Sequence, residues 1–194
     1  MKLTERKAQL KKEKILASAI KIVKKKSFSG ATMEEIAAEL LLTKGSLYYY
    51  FKNKSDLMFQ CHRYFLAQVT EELKATLASG DDMFDMLRKM VFTHLEYVIE
   101  EKETFNQLME PKTYFNEEQL QLVLSLRNEY DQLFAEILHR GVEEGKFSCA
   151  DVSMARMFIL GGMNWVQQWY RPDGRLSKEE IKEVFYQYIL KIIV

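Results

Sequence analysis

Apolar residues recur at spacings of three and four along almost the whole chain, and only 2 Pro and 8 Gly interrupt its 194 residues. That period belongs to an α-helix with one inward face, and no stretch shows the strict alternation of a half-buried strand. The chain is therefore expected to be all-α. With 47% hydrophobic residues and 12% aromatics it can fill a substantial core, and no internal repeat or low-complexity linker divides it.

About nine helices are predicted. The first runs from about Thr4 to Lys25 and buries Ile15, Leu16, Ala19, Ile20 and Val23. Ser55 is read as the cap of a long helix to about Ala78, with Met58, Cys61, Phe65, Val69, Leu73 and Leu77 inward. Helices follow over about 82–101, with Phe84, Leu87, Met90, Val91, His94, Leu95 and Val98 on one side, over 104–109 and over 116–144, the last buried through Leu120, Val123, Leu124, Tyr130, Leu133, Phe134, Ile137 and Leu138 and stopped by Gly145. Two more, about 151–170 and 177–193, flank the turn Arg171-Pro172-Asp173-Gly174-Arg175.

Residues 32–54, TMEEIAAELLLTKGSLYYYFKNK, carry the densest local signals. Thr32 is an N-cap with Glu35 as its capping-box partner, so a short helix should run from Met33 to about Leu40. Thr43 should cap a second, Lys44 to Tyr50, with Leu47 and Phe51 facing the core and Tyr50 packing beside them. Two short helices joined by a turn of about 3 to 4 residues are the geometry that places the second in a major groove. Charge supports this. Residues 1–54 carry 13 Lys/Arg against 5 Asp/Glu, while residues 55–194 carry 15 against 23, so a basic head joins an acidic body within a chain of zero net charge.

At Thr32, Ile36, Ala37, Leu42, Thr43, Gly45, Ser46, Leu47, Tyr48, Tyr50, Phe51, Lys54 and Leu57 the sequence resembles the TetR family of bacterial repressors. The family's Ala-Gly in the turn is Leu40-Leu41 here, so Leu41 must either accept strain or belong to a turn of different shape. The resemblance implies a three-helix helix-turn-helix head, residues 1–54, and a helical effector-binding and dimerisation body, residues 55–194. It implies that Tyr48 and Lys54 hold phosphates while Thr43, Lys44, Ser46 and Tyr49 face the groove, with Thr32 and Gly45 beside them. A homodimer would then read a palindromic operator on double-stranded DNA.

In this family the final two helices form the dimer interface, which here implies Phe158, Gly161, Gly162, Ile181, Val184, Phe185 and Tyr188. The stretch from Gly161 to Ser177 is similar to TetR-type regulators of catabolism that respond to acyl-CoA thioesters. A small hydrophobic effector would then lie among Met90, His94, Phe105, Met109, Tyr114, Phe115, Asn164 and Trp165, with Arg171, Arg175 and Lys112 near its anionic end. For most of these residues plain core packing is the competing role, and for His94 a satisfied core histidine. A multidrug-type sensor and an effector-free dimer remain as alternatives.

Other functions find little purchase. No catalytic set, metal-ligand spacing or cofactor motif stands out, and Cys61-His62 are adjacent on a helix, about 100° apart, which suits a Cys/His pair poorly. The longest uncharged stretch, Met157 to Tyr170, is 14 residues, short of the roughly 20 of a membrane helix. Cys61 and Cys149 read as reduced, buried thiols of a cytoplasmic protein.

Overall fold

The computed structural model describes the backbone of residues 3–30, 32–100 and 115–194, with side chains over 5–22, 32–100 and 115–194. Among the described residues there are eight helices and no strand: α1 Leu3–Gly30, α2 Met33–Glu39, α3 Lys44–Tyr50, α4 Lys54–Leu77, α5 Met83–Glu100, α6 Glu117–Glu143, α7 Val152–Trp169 and α8 Lys178–Ile193. The expected short helix over 104–109 lies outside the described residues.

Two compact units divide the chain. One holds α1, α2, α3, α4 as far as Gln68 and α6 as far as Leu126. Here Ile15, Leu16 and Ala19 of α1, Ile36 of α2, Leu47 and Phe51 at α3 and Leu57, Met58 and Cys61 of α4 are buried. Each such aliphatic or aromatic side chain removed from water contributes about 1.5 to 3 kcal/mol. The Cys61 thiol donates to the Leu16 carbonyl at 3.8 Å, and burial pushes its pKa up, so it is an inert core thiol. Cys149 is only half-buried, not buried as expected.

In the other unit α5 packs against α7 and α8, with the rest of α4 and α6. Its inner stripe, Met83, Met86, Leu87, Met90, Val91, His94, Leu95 and Val98, keeps the helical period throughout. The α6–α7 connection is held by Gly145, whose φ of 67° suits glycine, and by Gly141, where an added Cβ would stand 2.0 Å from the Phe147 ring.

Four expectations need correction. α1 runs past Lys25 to Gly30, because no Gly or Pro intervenes before Gly30, a natural stop. α4 is capped by Asn53, not Ser55: Asn53 Oδ1 accepts the Asp56 N–H at 2.9 Å, and Asp56 Oδ2 accepts the Lys52 N–H at 2.8 Å. Leu124 is exposed, because the inward stripe of α6 passes through Leu120, Val123 and Tyr130 and turns it outward. Phe84 is half-buried, edge-on to Phe147 with ring centroids 5.3 Å apart.

Candidate functional site

The helix-turn-helix is fixed by local bonds. Thr32 Oγ1 accepts the Glu35 N–H at 3.2 Å and Glu35 Oε2 accepts the Thr32 N–H at 2.9 Å, completing the capping box of α2. In the turn, the Leu42 N–H reaches the Ala37 carbonyl at 2.8 Å and the Leu41 N–H reaches that of Ala38 at 3.0 Å. This is the paired bonding of a Schellman cap, and it needs a left-handed residue at Leu41. Leu41 supplies it at φ 54°, with its side chain 93% exposed. The leucine thus accepts strain of about 1 to 2 kcal/mol, and the turn keeps the shape that glycine ordinarily serves.

Thr43 then opens α3. Its Oγ1 accepts the Ser46 N–H at 3.1 Å and lies 2.9 Å from Ser46 Oγ. Leu47 and Phe51 anchor the inner side of the helix. The opposite side presents Lys44, Gly45, Tyr48 and Tyr49, the last 80% exposed, with Ser46 half-buried between them. A Cβ added at Gly45 would meet nothing within 4 Å. Tyr50 is half-buried and stands edge-on to Tyr49, centroids 5.0 Å apart, so it braces the exposed ring from beside the core. Lys54 is half-buried in the first turn of α4, at the positive end of the helix dipole.

Two features of this face were not read from the sequence. Lys12, Lys52 and Arg63 join Tyr48, Tyr49 and Tyr50 around a groove of about 460 Å³, with Asp56 and Gln60 also on its wall. Arg63 was legible as sharing one side of α4 with Asp56 and Gln60, at helical spacings of seven and three. The second is an ion pair: Lys44 Nζ lies 2.5 Å from Glu34 Oε1 in α2. Its hydrogen bond holds the Glu34 carboxyl below the usual carboxylate range and raises the Lys44 pKa.

At the other end of the chain, α7 and α8 expose an apolar stripe. Met154, Met157, Phe158, Trp165 and Trp169 on α7 and Val184, Tyr188 and Ile192 on α8 are all exposed. Gly161 faces open space, while Gly162 lies under the Phe185 ring at 3.7 Å from a built Cβ. Trp165, expected among the effector contacts, stands on this outward stripe, 64% exposed, because it follows Phe158 by seven residues and Gly161 by four. Ile181, expected at the dimer surface, is 3% exposed inside its own unit.

The family matches cover both regions. Residues 15–61 match "Bacterial regulatory proteins, tetR family" and residues 80–193, more than half the chain, match "Tetracyclin repressor-like, C-terminal domain". The chain belongs to the TetR family. The HTH-type transcriptional repressor KstR2 of Rhodococcus jostii (strain RHA1) is 26% identical over 183 residues, spanning 93% of this chain and 89% of its own length. The TetR-family regulator PfmR of Thermus thermophilus superposes with a TM-score of 0.76 at 27% identity, covering 91% of this chain and 97% of its own. AibR, solved in complex with isovaleryl coenzyme A and operator DNA, gives 0.74 at 24% identity over 92% and 97%, a likeness of fold. These relatives are transcriptional regulators, not enzymes.

Within this TetR-family chain the expected effector residues are scattered. Phe105, Met109, Lys112 and Tyr114 lie outside the described residues. Phe115 is buried in the first unit, its ring 5.7 Å from Phe59 and 5.3 Å from His62. Met90, His94 and Asn164 belong to the second, with Met90 fully buried. His94 Nδ1 lies 2.6 Å from the Tyr130 hydroxyl and Nε2 lies 3.0 Å from Asn164 Oδ1. A neutral ring satisfies both, with Tyr130 donating to Nδ1 and the Nε2–H donating to Asn164. Burial pulls the His94 pKa down to about 4, against the opposing Asn164 bond, so the ring stays neutral. Arg171 and Arg175 are exposed in the α7–α8 turn.

The described residues also contain two buried polar side chains without a hydrogen-bond partner, neither of them singled out from the sequence as a site. His62 and Gln167 are fully enclosed, and neither has a hydrogen-bond partner for its polar atoms among the described residues. Each such orphan costs about 1 to 3 kcal/mol. Burial alone takes His62 down to a pKa of about 4. No described helix is long and apolar enough to cross a membrane.

Proposed function

We propose that this chain is a ligand-responsive transcriptional repressor that binds a palindromic operator as a homodimer. The observation that carries the reading is the exposed side of α3: Lys44, Gly45, Tyr48 and Tyr49 project from a helix held by its cap and by Leu47 and Phe51. In this reading residues 1–54 form the DNA-binding head and residues 55–194 the sensing and pairing body. Tyr48, Lys54 and the cap hydroxyl of Thr32 meet phosphates, whereas Thr43, Lys44, Ser46 and Tyr49 face base edges, Lys44 at guanine and Tyr49 at a thymine methyl.

Pairing is assigned to the apolar stripe of α7 and α8, through Phe158, Gly161, Val184 and Tyr188 with Trp165 added. Exposed aromatics of this density favour burial against a second copy. For the effector, the printed isovaleryl coenzyme A of AibR supports an acyl-CoA thioester. The unpartnered His62 beside Phe115 supports a ligand with a polar group as well as an apolar chain. Such a ligand releases DNA only through a preference for one arrangement of the chain, about 5.5 kcal/mol for a shift from 1:99 to 99:1.

Binding titrations on the selected operator and on a scrambled duplex test the DNA reading. Lys54→Ala should weaken both about equally, whereas Tyr49→Ala should cost roughly 1 to 3 kcal/mol on the operator alone. Equal losses for both variants on both duplexes would remove the division of roles. CoA thioesters of increasing chain length, run against free CoA and the free acids, test the effector. Release by an unrelated hydrophobic drug and by no thioester would point to a multidrug-type sensor.

A further inference from the structure

The face that the DNA reading assigns to the major groove carries an acid clasped to one of its proposed base readers. Glu34 sits in the first turn of α2, Lys44 is the first residue of α3, and their side chains are 55% and 61% exposed. The pair therefore neutralises no buried charge. Nor does the fold of α2 require Glu34, since the carboxylate that closes the capping box belongs to Glu35. Lys44 stands where its own helix least favours a cation, because the peptide dipoles present their positive end there. Its ammonium lies against Glu34 and 5.8 Å from the Tyr48 ring centroid, so it is held by neighbours on both short helices.

We propose that Glu34 is a carboxylate latch on Lys44 that sets how strictly the recognition helix separates its operator from other DNA. The inference rests on the DNA-binding reading. On any duplex, Lys44 must leave Glu34 to reach an acceptor, and the released carboxylate is then left facing a polyanion. A random site offers Lys44 only a diffuse phosphate field, which Glu34 opposes. An operator guanine offers O6 and N7 at a fixed position, which compensates for the broken pair. The latch thus discriminates by penalising the wrong partner more than the right one.

The test uses the full chain, an operator selected from a random duplex pool, and a scrambled duplex of equal length, with affinities measured across a KCl series. Glu34→Gln keeps the side-chain shape and leaves the cap intact; Glu34→Ala serves as the second variant. Affinity for the scrambled duplex should rise roughly tenfold and affinity for the operator by less than about threefold, so the specificity ratio falls. In a Lys44→Ala background that change in ratio should vanish. Equal gains on both duplexes, no gain on either, or an effect undiminished by Lys44→Ala would each overturn the latch, because Glu34 would then act as a bulk charge or not at all. Failure of the wild-type chain to select any sequence overturns the DNA reading and the latch with it.

Discussion

The α2–α3 pair and the α7–α8 pair solve opposite problems. Helices of seven residues are too short to persist alone, so α2 and α3 depend on caps, a Schellman turn and a few inward anchors. Helices of 18 and 16 residues have inner faces sufficient for a core and surplus apolar surface besides. The first pair therefore displays polar and aromatic groups on a finished scaffold. The second displays surplus apolar surface, which the proposed pairing would cover. On the proposed function, exposure is a ligand contact in one region and a packing face in the other.

The sharpest way to break this comparison is to truncate one inward and one outward residue of the second pair. Ile181→Ala should destabilise the fold by about 2 to 5 kcal/mol in denaturant titrations, through the cavity it leaves. Trp165→Ala should instead weaken self-association by about 2 to 4 kcal/mol in sedimentation equilibrium. If Trp165→Ala leaves association untouched, the exposed stripe is not the pairing surface.

Acid should act beside the second pair through His94 of α5, whose ring bonds Asn164 of α7. The native His94 pKa of about 4 lies below the unfolded value near 6.5, so the unfolded state takes up the proton first as pH falls. Stability from this group is complete above pH 6.5, falls by up to about 1.4 kcal/mol per pH unit between 6.5 and 4, and levels off below. His94→Gln should flatten that limb in unfolding curves taken from pH 7 to 4. An unchanged slope would place the acid sensitivity elsewhere, with His62 the next candidate, since it carries a similar depression.

Smaller effects separate scaffold from display in the first pair. Gly45→Ala has room for its methyl and should raise the unfolding free energy by up to about 1 kcal/mol while weakening DNA binding. Stabilisation without loss of affinity would mean that no DNA backbone approaches Gly45. Leu41→Gly should relieve left-handed strain and change stability by about 1 kcal/mol or less, with DNA affinity unaltered. A shift in operator preference would show that Leu41 aims α3 after all.

The same contrast explains what could be read from the chain. Thr32, Glu35 and Thr43 act on backbone groups three residues away, so both short helices and their exposed faces were legible residue by residue. All-helical architecture followed from periodicity, as did the inner stripes of α4 and α5. On α7 and α8 two sides are apolar, and composition cannot say which side meets its own chain, so the outward place of Trp165 and the inward place of Ile181 emerge only from the fold. The Glu34–Lys44 pair and the His94–Tyr130–Asn164 cluster join residues that only the folded backbone brings together. Ser55 yielded to Asn53 for a simpler reason: both are good caps two residues apart, and the bond to Asp56 decides.

Leu41 has a consequence for how such a regulator can change over generations. Its side chain is almost wholly in solvent, and the turn is defined by amides and carbonyls that every residue but proline possesses. On the proposed DNA reading the position is thus a tolerance dial: replacements there would move the thermal margin of the α2–α3 pair while the exposed side of α3 stays the same. A lineage can drift at this site to match its working temperature without relearning its binding site, and an engineer can do so deliberately.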